Sequence, residues 1–224
     1  MSRGLSRCTS PVASAPRFAG APVLAQALTP RVADFGDHAA SADARFVADW
    51  VADSRDNRAT PFVILDKRDA RVFVFAANGT LIDSSPVLLG AAPGDDSVDG
   101  IGTRPIAEVR PEERTTPAGR FVSQPGRNAS GEDVVWVDYS AAVSMHRVRP
   151  VDPKERRLER LASNDPAQRR ISYGCINVPV AFFEKVIKPV LGAQRAVVYV
   201  LPETKNVQEV FAGAYAVGQK TERM

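Results

Sequence analysis

A series of short apolar segments separated by turn residues, between positions 62 and 90, constrains the fold of this chain most strongly. Residues 62–65 and 71–75 are rich in β-branched and aromatic side chains, which favour extended strands. Asn78 and Gly79, which follow, are a strong signal for a two-residue hairpin turn, because both residue types tolerate positive φ. Residues 81–89 then form the predicted return strand. The pattern indicates a β-meander and a protein that is mainly β.

The rest of the chain adds short strands and a few helices to this meander. Alanine and valine recur at helical spacing over 37–56, which predicts a helix with Asp37 as its N-cap. Pro179 stands at the position that proline favours in the first turn of a helix. Further strands are predicted at 106–109, 120–123, 134–139, 143–148 and 196–201, and further helices at 154–162 and 179–187.

The predicted elements divide the chain into four parts. A tail rich in Ala, Pro, Ser and Arg precedes a helical segment, a main domain and a C-terminal helix with its own tail, with boundaries at 1–36, 37–58, 59–203 and 204–224. Within the first part, Ala25, Gln26 and Ala27 form a small-x-small pattern of the cleavage type, after several arginines. The N-terminal part is therefore either a degenerate export signal or a plain flexible tail.

The composition is that of a soluble globular protein. Apolar residues make up 44% of the chain and charged residues 25%, and no run of 18 apolar residues occurs, so no transmembrane helix is predicted. Cys8 and Cys175 are the two cysteines, and they lie far apart in the chain, as do the two histidines. We therefore expect no structural disulfide and no metal site.

Cys175 and His146 are the candidates for chemistry. Cys175 is the one cysteine outside the N-terminal tail, and His146 is the one histidine in the main domain. A cysteine is a nucleophile only as the thiolate, which a nearby imidazole can generate near neutral pH. Alternation over 143–148 puts Ser144 and His146 on one face of a strand. The alternative for each residue alone is a structural role, as a small core thiol and as a satisfied strand histidine.

Two motifs resemble the catalytic domain of the YkuD-type L,D-transpeptidases. The string Ser172-Tyr173-Gly174-Cys175-Ile176-Asn177 resembles the family motif Ser/Thr-His-Gly-Cys-hydrophobic-Asn, with His146 as the upstream histidine. The string Thr-Pro-Ala-Gly-Arg-Phe at 116–121 resembles a second signature, Thr-Pro-x-Gly-x-Phe. The resemblance covers roughly residues 60 to 201. Tyr173 stands where the family has a second histidine, and the spacer between His146 and Ser172 is longer than is usual there.

The resemblance implies a fold, a reaction and a location. The fold would be an L,D-transpeptidase-like β-sandwich of mixed sheets with peripheral helices. Cys175 would attack a peptidoglycan stem peptide at the carbonyl before D-alanine, and His146 would act as its base, without metal or organic cofactor. An amine from another stem peptide, or from an anchored envelope protein, would then take the acyl group. The location would be the periplasm or cell envelope.

The other motif residues have supporting roles in this interpretation. Gly174 allows a sharp turn that brings backbone N–H groups near the sulfur, where they could hold an oxyanion. Ser172 and Asn177 could bond the loop backbone, and Tyr173 could keep the shape of the missing histidine and offer a hydroxyl. Arg147 follows the histidine and cannot accept a hydrogen bond. We therefore expect a backbone carbonyl to orient the ring of His146.

Two alternatives to transpeptidation stay open. The thioester could be released to water, as in an L,D-carboxypeptidase or endopeptidase, or the chain could be a non-catalytic module that binds the cell wall. The basic insert, residues 147–170, carries eight Arg or Lys and four Asp or Glu. It is either a solvated excursion or a surface for an anionic polymer or acidic peptide. Nucleic acid is not an expected partner, because no aromatic residues interleave with the basic ones.

Overall fold

The computed structural model describes residues 29–218. Residues 1–28, with the cleavage-type pattern and Cys8, lie outside the described residues, as do residues 219–224. Within the predicted tail, Ala33 and Phe35 are described and buried beside Phe73 and Phe75, so this part packs against the main domain instead of forming a free tail. The described part is mostly β, with short helices around it. The strands are β1 (Phe62–Asp66), β2 (Arg71–Phe75), β3 (Leu81–Pro86), β4 (Leu89–Gly90), β5 (Gly119–Arg127), β6 (Asp133–Asp138), β7 (Val143–Arg147), β8 (Arg170–Ser172), β9 (Ile176–Val178) and β10 (Ala196–Val200).

The helices are few and short. A helix after β9 begins as an α-helix, continues as a π-helical turn over Phe183–Ile187, and ends as an α-helix. Single 3-10 turns lie at Ile101–Thr103, Ile106–Glu108, Pro111–Glu113, Pro153–Glu155 and Pro166–Arg169. The α-helical segments are α1 (Ala42–Ser54), α2 (Arg157–Ala162), α3 (Val180–Phe182), α4 (Lys188–Val190) and α5 (Val207–Val210).

Eight strands form one mixed sheet in the order β3-β2-β1-β10-β5-β6-β7-β9, and β4 pairs with β8 in a second sheet. The pairs β1–β10, β7–β9 and β4–β8 are parallel, and the others are antiparallel. The predicted meander is β1, β2 and β3, with Gly79 at the turn in the left-handed region at φ +92°. The prediction of a mainly β fold with mixed sheets and peripheral helices is confirmed.

The large sheet folds into two layers at β5. The first half of β5 pairs with β10 and the second half with β6, so one strand belongs to both layers. Val63 and Val74 of one layer share a hydrophobic core with Val135 and Met145 of the other. The helix after β9 adds Phe183 to the same core. This core holds the two layers together and positions β7 and β9, which carry the candidate site.

Helix α1 covers the other face of the first layer. Trp50 and Val51 pack with Phe62 and Tyr199 in a second hydrophobic core. The helix is shorter than predicted: it begins after Ser41, whose Oγ accepts a hydrogen bond from the amide of Ala44 at 3.1 Å. Ser41, and not the predicted Asp37, is therefore the N-cap.

Three further element predictions are corrected. The strand predicted at 106–109 is wrong, because Ile106–Glu108 is a 3-10 turn that lies between Pro105 and Pro111. The return strand at 81–89 is broken into β3 and β4. The helix at 179–187 begins one residue later and extends to residue 190, with Pro179 as its N-cap. The short strands on either side of Cys175, β8 and β9, had no sequence prediction.

The basic insert packs against the protein and is not simply solvated. Arg169 is buried and donates hydrogen bonds to the carbonyl oxygens of Asp69 and Ala70 at 3.1 and 3.3 Å. Leu161 of α2 is buried against Leu88 and Val148. The prediction of a solvated excursion is therefore wrong for these residues. In the part of the chain covered by the structure, no helix has the length and apolar character needed to span a membrane.

Candidate active site

Cys175 lies in a three-residue connection between two strands. Residues 173–175 connect β8 to β9, and the thiol is half-buried. Strand β9 runs parallel to β7 with His146 opposite Asn177 in the register. Because Asn177 is two residues beyond Cys175, this register brings the histidine to the cysteine from a position 29 residues earlier in the chain. The predicted pair is therefore brought together by strand pairing.

The loop that carries the thiol is fixed by its own side chains. Ser172 Oγ donates to the carbonyl oxygen of Cys175 at 2.6 Å and accepts from the amide of Gly174 at 3.1 Å. Gly174 has φ +127°, and a Cβ there would lie 2.7 Å from the carbonyl oxygen of Thr115. A side chain at position 174 would therefore be both strained and in collision with backbone.

The Thr-Pro-x-Gly-x-Phe motif also holds this loop, through hydrogen bonds of Thr116. The buried Thr116 hydroxyl donates to the carbonyl oxygen of Gly174 at 2.9 Å and accepts from the amide of Gly90 at 2.9 Å. Its carbonyl oxygen accepts from Lys67 Nζ at 2.8 Å. These three bonds join β4, the cysteine loop and the β1–β2 turn, so the motif holds the fold together around the site.

The surroundings of the Cys175 sulfur favour the thiolate. Sγ lies 3.6 Å from the carbonyl oxygen of Ala142, to which it donates, and 3.7 Å from Ser144 Oγ. Burial alone would raise the pKa of this thiol. A hydrogen bond and the charge of His146, together with hydrogen bonds from Ser144, outweigh burial and hold the pKa below its ordinary value. The site can therefore supply a larger thiolate fraction than a free cysteine.

The ring of His146 has a defined tautomer. Nδ1 lies 2.7 Å from the carbonyl oxygen of Arg147, which can only accept, so Nδ1 carries the hydrogen in the neutral ring. Nε2 is then the basic nitrogen, and it lies 3.3 Å from Nδ2 of Asn177. The expectation that a backbone carbonyl orients this ring is confirmed, and the carbonyl is that of the next residue.

The other predicted motif residues occupy distinct places. Asn177 is buried, and its Nδ2 also lies 3.3 Å from the carbonyl oxygen of Cys175, to which it donates. Tyr173 is 40% exposed, and its ring lies 4.1 Å below the guanidinium carbon of Arg114. The amide of Gly174 is occupied by Ser172, whereas the amide of Cys175 has no acceptor among the described residues. The Cys175 amide is thus available to an oxyanion.

Sequence reasoning missed two residues that contact this group. Ser144 is buried beside the sulfur, and its position on the same strand face as His146 was a usable signal. Arg157, in the basic insert, donates to Asn177 Oδ1 at 2.6 Å. No sequence pattern signals that contact. Within residues 29–218, no three metal-binding side chains are grouped as a site would require.

The fold and the site together define a two-layered β protein in which a histidine on β7 lies beside a cysteine just before the adjacent parallel strand β9. No model of a known protein family matches the sequence, and no curated protein matches it. Among solved structures, the helical cell shape determining protein Pgp2 from Campylobacter jejuni is similar, with 16% identity and a TM-score of 0.42 over 65% of this chain and 49% of its own.

Two L,D-transpeptidase structures are also similar. The one from Enterococcus faecium has 14% identity and a TM-score of 0.37, over 63% of this chain and 50% of its own. The one from Xylanimonas cellulosilytica has 14% identity and a TM-score of 0.38, over 63% of this chain and 60% of its own. The chain therefore covers about half to three fifths of these three solved chains.

Proposed function

We propose that this protein is a cysteine acyltransferase of the L,D-transpeptidase type, acting on peptidoglycan stem peptides. The observation that carries the proposal is the placement of the Cys175 thiol beside His146, inside a loop whose sequence resembles the L,D-transpeptidase motif. Ser172, Gly174 and Asn177 of that motif each make hydrogen bonds that hold the loop. The choice of peptidoglycan rests on the motif resemblance, and the chemistry rests on the site geometry.

The first half of the reaction forms a thioester. The Cys175 thiolate attacks the carbonyl carbon between the L-centre of the diamino acid and D-alanine, so that an S–C bond forms and the oxygen becomes anionic. The amide of Cys175 donates to that oxyanion. When the intermediate collapses, the C–N bond breaks and the protonated Nε2 of His146 gives its proton to the leaving amine of D-alanine.

The second half transfers the acyl group. An acceptor amine, from another stem peptide or an anchored envelope protein, attacks the thioester carbonyl while Nε2 of His146 takes its proton. The C–S bond breaks, the amide product leaves, and the sulfur returns as thiolate beside the protonated ring. No metal or organic cofactor enters either half. This function places the protein in the cell envelope or periplasm, where the substrate is.

A covalent probe tests the nucleophile. Incubation of the protein with a carbapenem, followed by intact mass spectrometry, should show one adduct on the wild-type chain. The adduct should be kept in Cys8→Ser and lost in Cys175→Ala. An adduct on neither cysteine would overturn the proposed role of Cys175 and favour a non-catalytic wall-binding module.

A substrate assay tests the acceptor. Purified protein incubated with disaccharide tetrapeptides should release D-alanine and form cross-linked dimers, seen by liquid chromatography and mass spectrometry. Trimmed monomers without dimers would instead indicate water as the acceptor, as in a carboxypeptidase. Cys175→Ala is the matched control, and it should give neither product.

A further inference from the structure

One arginine of the basic insert contacts a residue of the candidate site. Arg157 begins helix α2 and its side chain is 13% exposed. Nη1 donates to Asn177 Oδ1 at 2.6 Å, and Nε donates to Glu155 Oε2 at 2.5 Å. Asn177 in turn faces Nε2 of His146 with its amino group. The insert is thus connected to the basic nitrogen through one amide side chain.

This connection has a definite orientation because a guanidinium only donates hydrogen bonds. The Asn177 oxygen must therefore face Arg157, and its amino group must face His146. An amino group also only donates, so its partner on the ring must be an unprotonated Nε2. Reversal of the amide would place the oxygen next to Nε2, where it could accept from a protonated ring. Arg157, at 2.6 Å from the oxygen, opposes that reversal together with the longer 3.3 Å bond from the amino group to the carbonyl oxygen of Cys175.

We propose that Arg157 is a positioning residue that holds Asn177 in the orientation favouring the neutral ring of His146 over the thiolate–imidazolium pair. The inference rests on the proposed function, since it concerns how the same cysteine is activated. The insert then sets how much thiolate the resting site carries.

The charged side chains along this connection are paired. The ring faces the Cys175 thiol, and Arg157, which reaches the ring through Asn177, pairs with Glu155. Arg147 follows on β7 with its side chain paired to Glu184. Removal of Arg157 takes away the restraint on the Asn177 oxygen, so it should stabilise the ion pair.

The pH dependence of Cys175 alkylation by iodoacetamide tests this inference. The measurement uses a Cys8→Ser background, and second-order rate constants of alkylation are determined between pH 4 and pH 9. The rate rises with pH as the thiol ionises, and this rising part of the curve is called the acidic limb. Arg157→Met should move that limb to lower pH, so that alkylation at pH 5 becomes about three- to tenfold faster than in the parent chain. At pH 9 the two rates should lie closer together than at pH 5.

Two further variants make the test decisive. Arg156→Met removes the neighbouring charge, but Arg156 is 68% exposed and pairs with Glu159 away from the site, so its profile should match the parent. Asn177→Asp keeps Arg157 but replaces the amino group with an oxygen that accepts from a protonated ring. It should shift the limb to lower pH even if Arg157→Met fails to fold.

The inference is overturned if a folded Arg157→Met keeps the parent profile, if Asn177→Asp keeps it, or if Arg156→Met shifts it equally. Alkylation needs no peptidoglycan, so this experiment reads the thiol directly. A chain that shifts as expected but forms no carbapenem adduct would contradict the proposed function and not the role of Arg157.

Discussion

The reactivity of Cys175 depends on a small number of neighbouring atoms. Burial opposes ionisation of the thiol, and His146 and Ser144 favour it enough to lower its pKa. The Ser144 hydroxyl is itself buried, so its hydrogen bonds act in a medium where electrostatic interactions are stronger than in water. Ser144 therefore assists ionisation while Arg157, through Asn177, restrains it. The two side chains are expected to have opposite effects on one measurable profile.

Ser144→Ala tests the first of these effects. Because Ser144 lowers the pKa of the Cys175 thiol, its removal should raise that pKa and move the acidic limb of alkylation to higher pH. At pH 6 the rate should fall about two- to threefold, since the contact to sulfur is long and weak. Ser140→Ala, in the exposed β6–β7 turn, is the control and should leave the profile in place. A shift of the Ser144→Ala profile to lower pH would contradict this account.

Part of the candidate site can be predicted from the sequence alone. His146 and Cys175 could be paired because each is the one residue of its type in the main domain, and alternation along 143–148 could have added Ser144. The contact of Asn177 with His146 depends on the register between β7 and β9, which no local pattern encodes. The Arg157 contact depends on how the insert folds back. These two long-range contacts therefore cannot be predicted from local sequence patterns.

Among the elements, the basic insert differs most from its prediction. The many charged residues of the insert predicted a solvated segment, yet one side of α2 is buried. Leu161 is 6% exposed, whereas Leu158 is 55% exposed. Leu161 packs with Leu88, next to β4, and with Val148, just beyond β7. The helix is therefore anchored between the two sheets. That anchor also determines where Arg157 lies.

Leu161→Ala should measure the anchor. Removal of the buried side chain should destabilise the protein by about 2–5 kcal/mol, from lost burial and the cavity left behind. Leu158→Ala, on the same helix and with the same chemical change, should alter the free energy of unfolding by less than about 0.5 kcal/mol. Urea unfolding followed by circular dichroism gives both values. Equal effects of the two substitutions would show that α2 is not anchored through Leu161.

Element predictions succeeded where the signal was local and failed where it was not. Strand β2 and the core of β1 follow from β-branched and aromatic residues, and the turn at Gly79 follows from its backbone freedom. The apolar run at 106–109 has strand-like composition, but it lies between prolines without a pairing partner. Strands β8 and β9 have three residues each, too few for a periodic signal.

At the scale of the whole molecule, a buried ion pair joins distant segments. Lys67 is fully buried after β1, and its Nζ donates to Asp95 Oδ1 at 2.7 Å and to the carbonyl oxygens of Gly94 and Thr116 at 2.5 and 2.8 Å. Asp95 also accepts from the backbone and hydroxyl of Thr204 at 2.8 and 2.6 Å, and from the amide of Lys205. The meander, the loop after β4 and the C-terminal segment therefore meet at one carboxylate.

The pH dependence of stability tests this junction through Asp95→Asn. Burial would raise the pKa of Asp95, but hydrogen bonds from Lys67, from Thr204 and from the backbone outweigh it and hold the pKa well below its ordinary value. The folded-state pKa is thus lower than the unfolded value of about 3.9, so this stabilisation is complete above that pH and is lost as pH falls toward the folded pKa. At pH 7 the variant should be less stable by about 1.5–3 kcal/mol, since it removes the nearer of the two carboxylates that pair with buried Lys67 and leaves Glu203 at 3.4 Å.

The difference between the parent and Asp95→Asn in urea unfolding should therefore be largest at pH 7 and pH 6 and should narrow when the pH is lowered from 4 to 2. Asp96→Asn is the matched control. The Asp96 carboxylate is 75% exposed and pairs with Lys205 at the surface, where ion pairs contribute little to stability. Its effect should be small at every pH. The loss of unfolding free energy in Asp95→Asn could instead stay constant from pH 7 to pH 2. That result would mean that the Asp95 carboxylate is not preferentially ionised in the folded protein, and that packing joins the three segments without the ion pair.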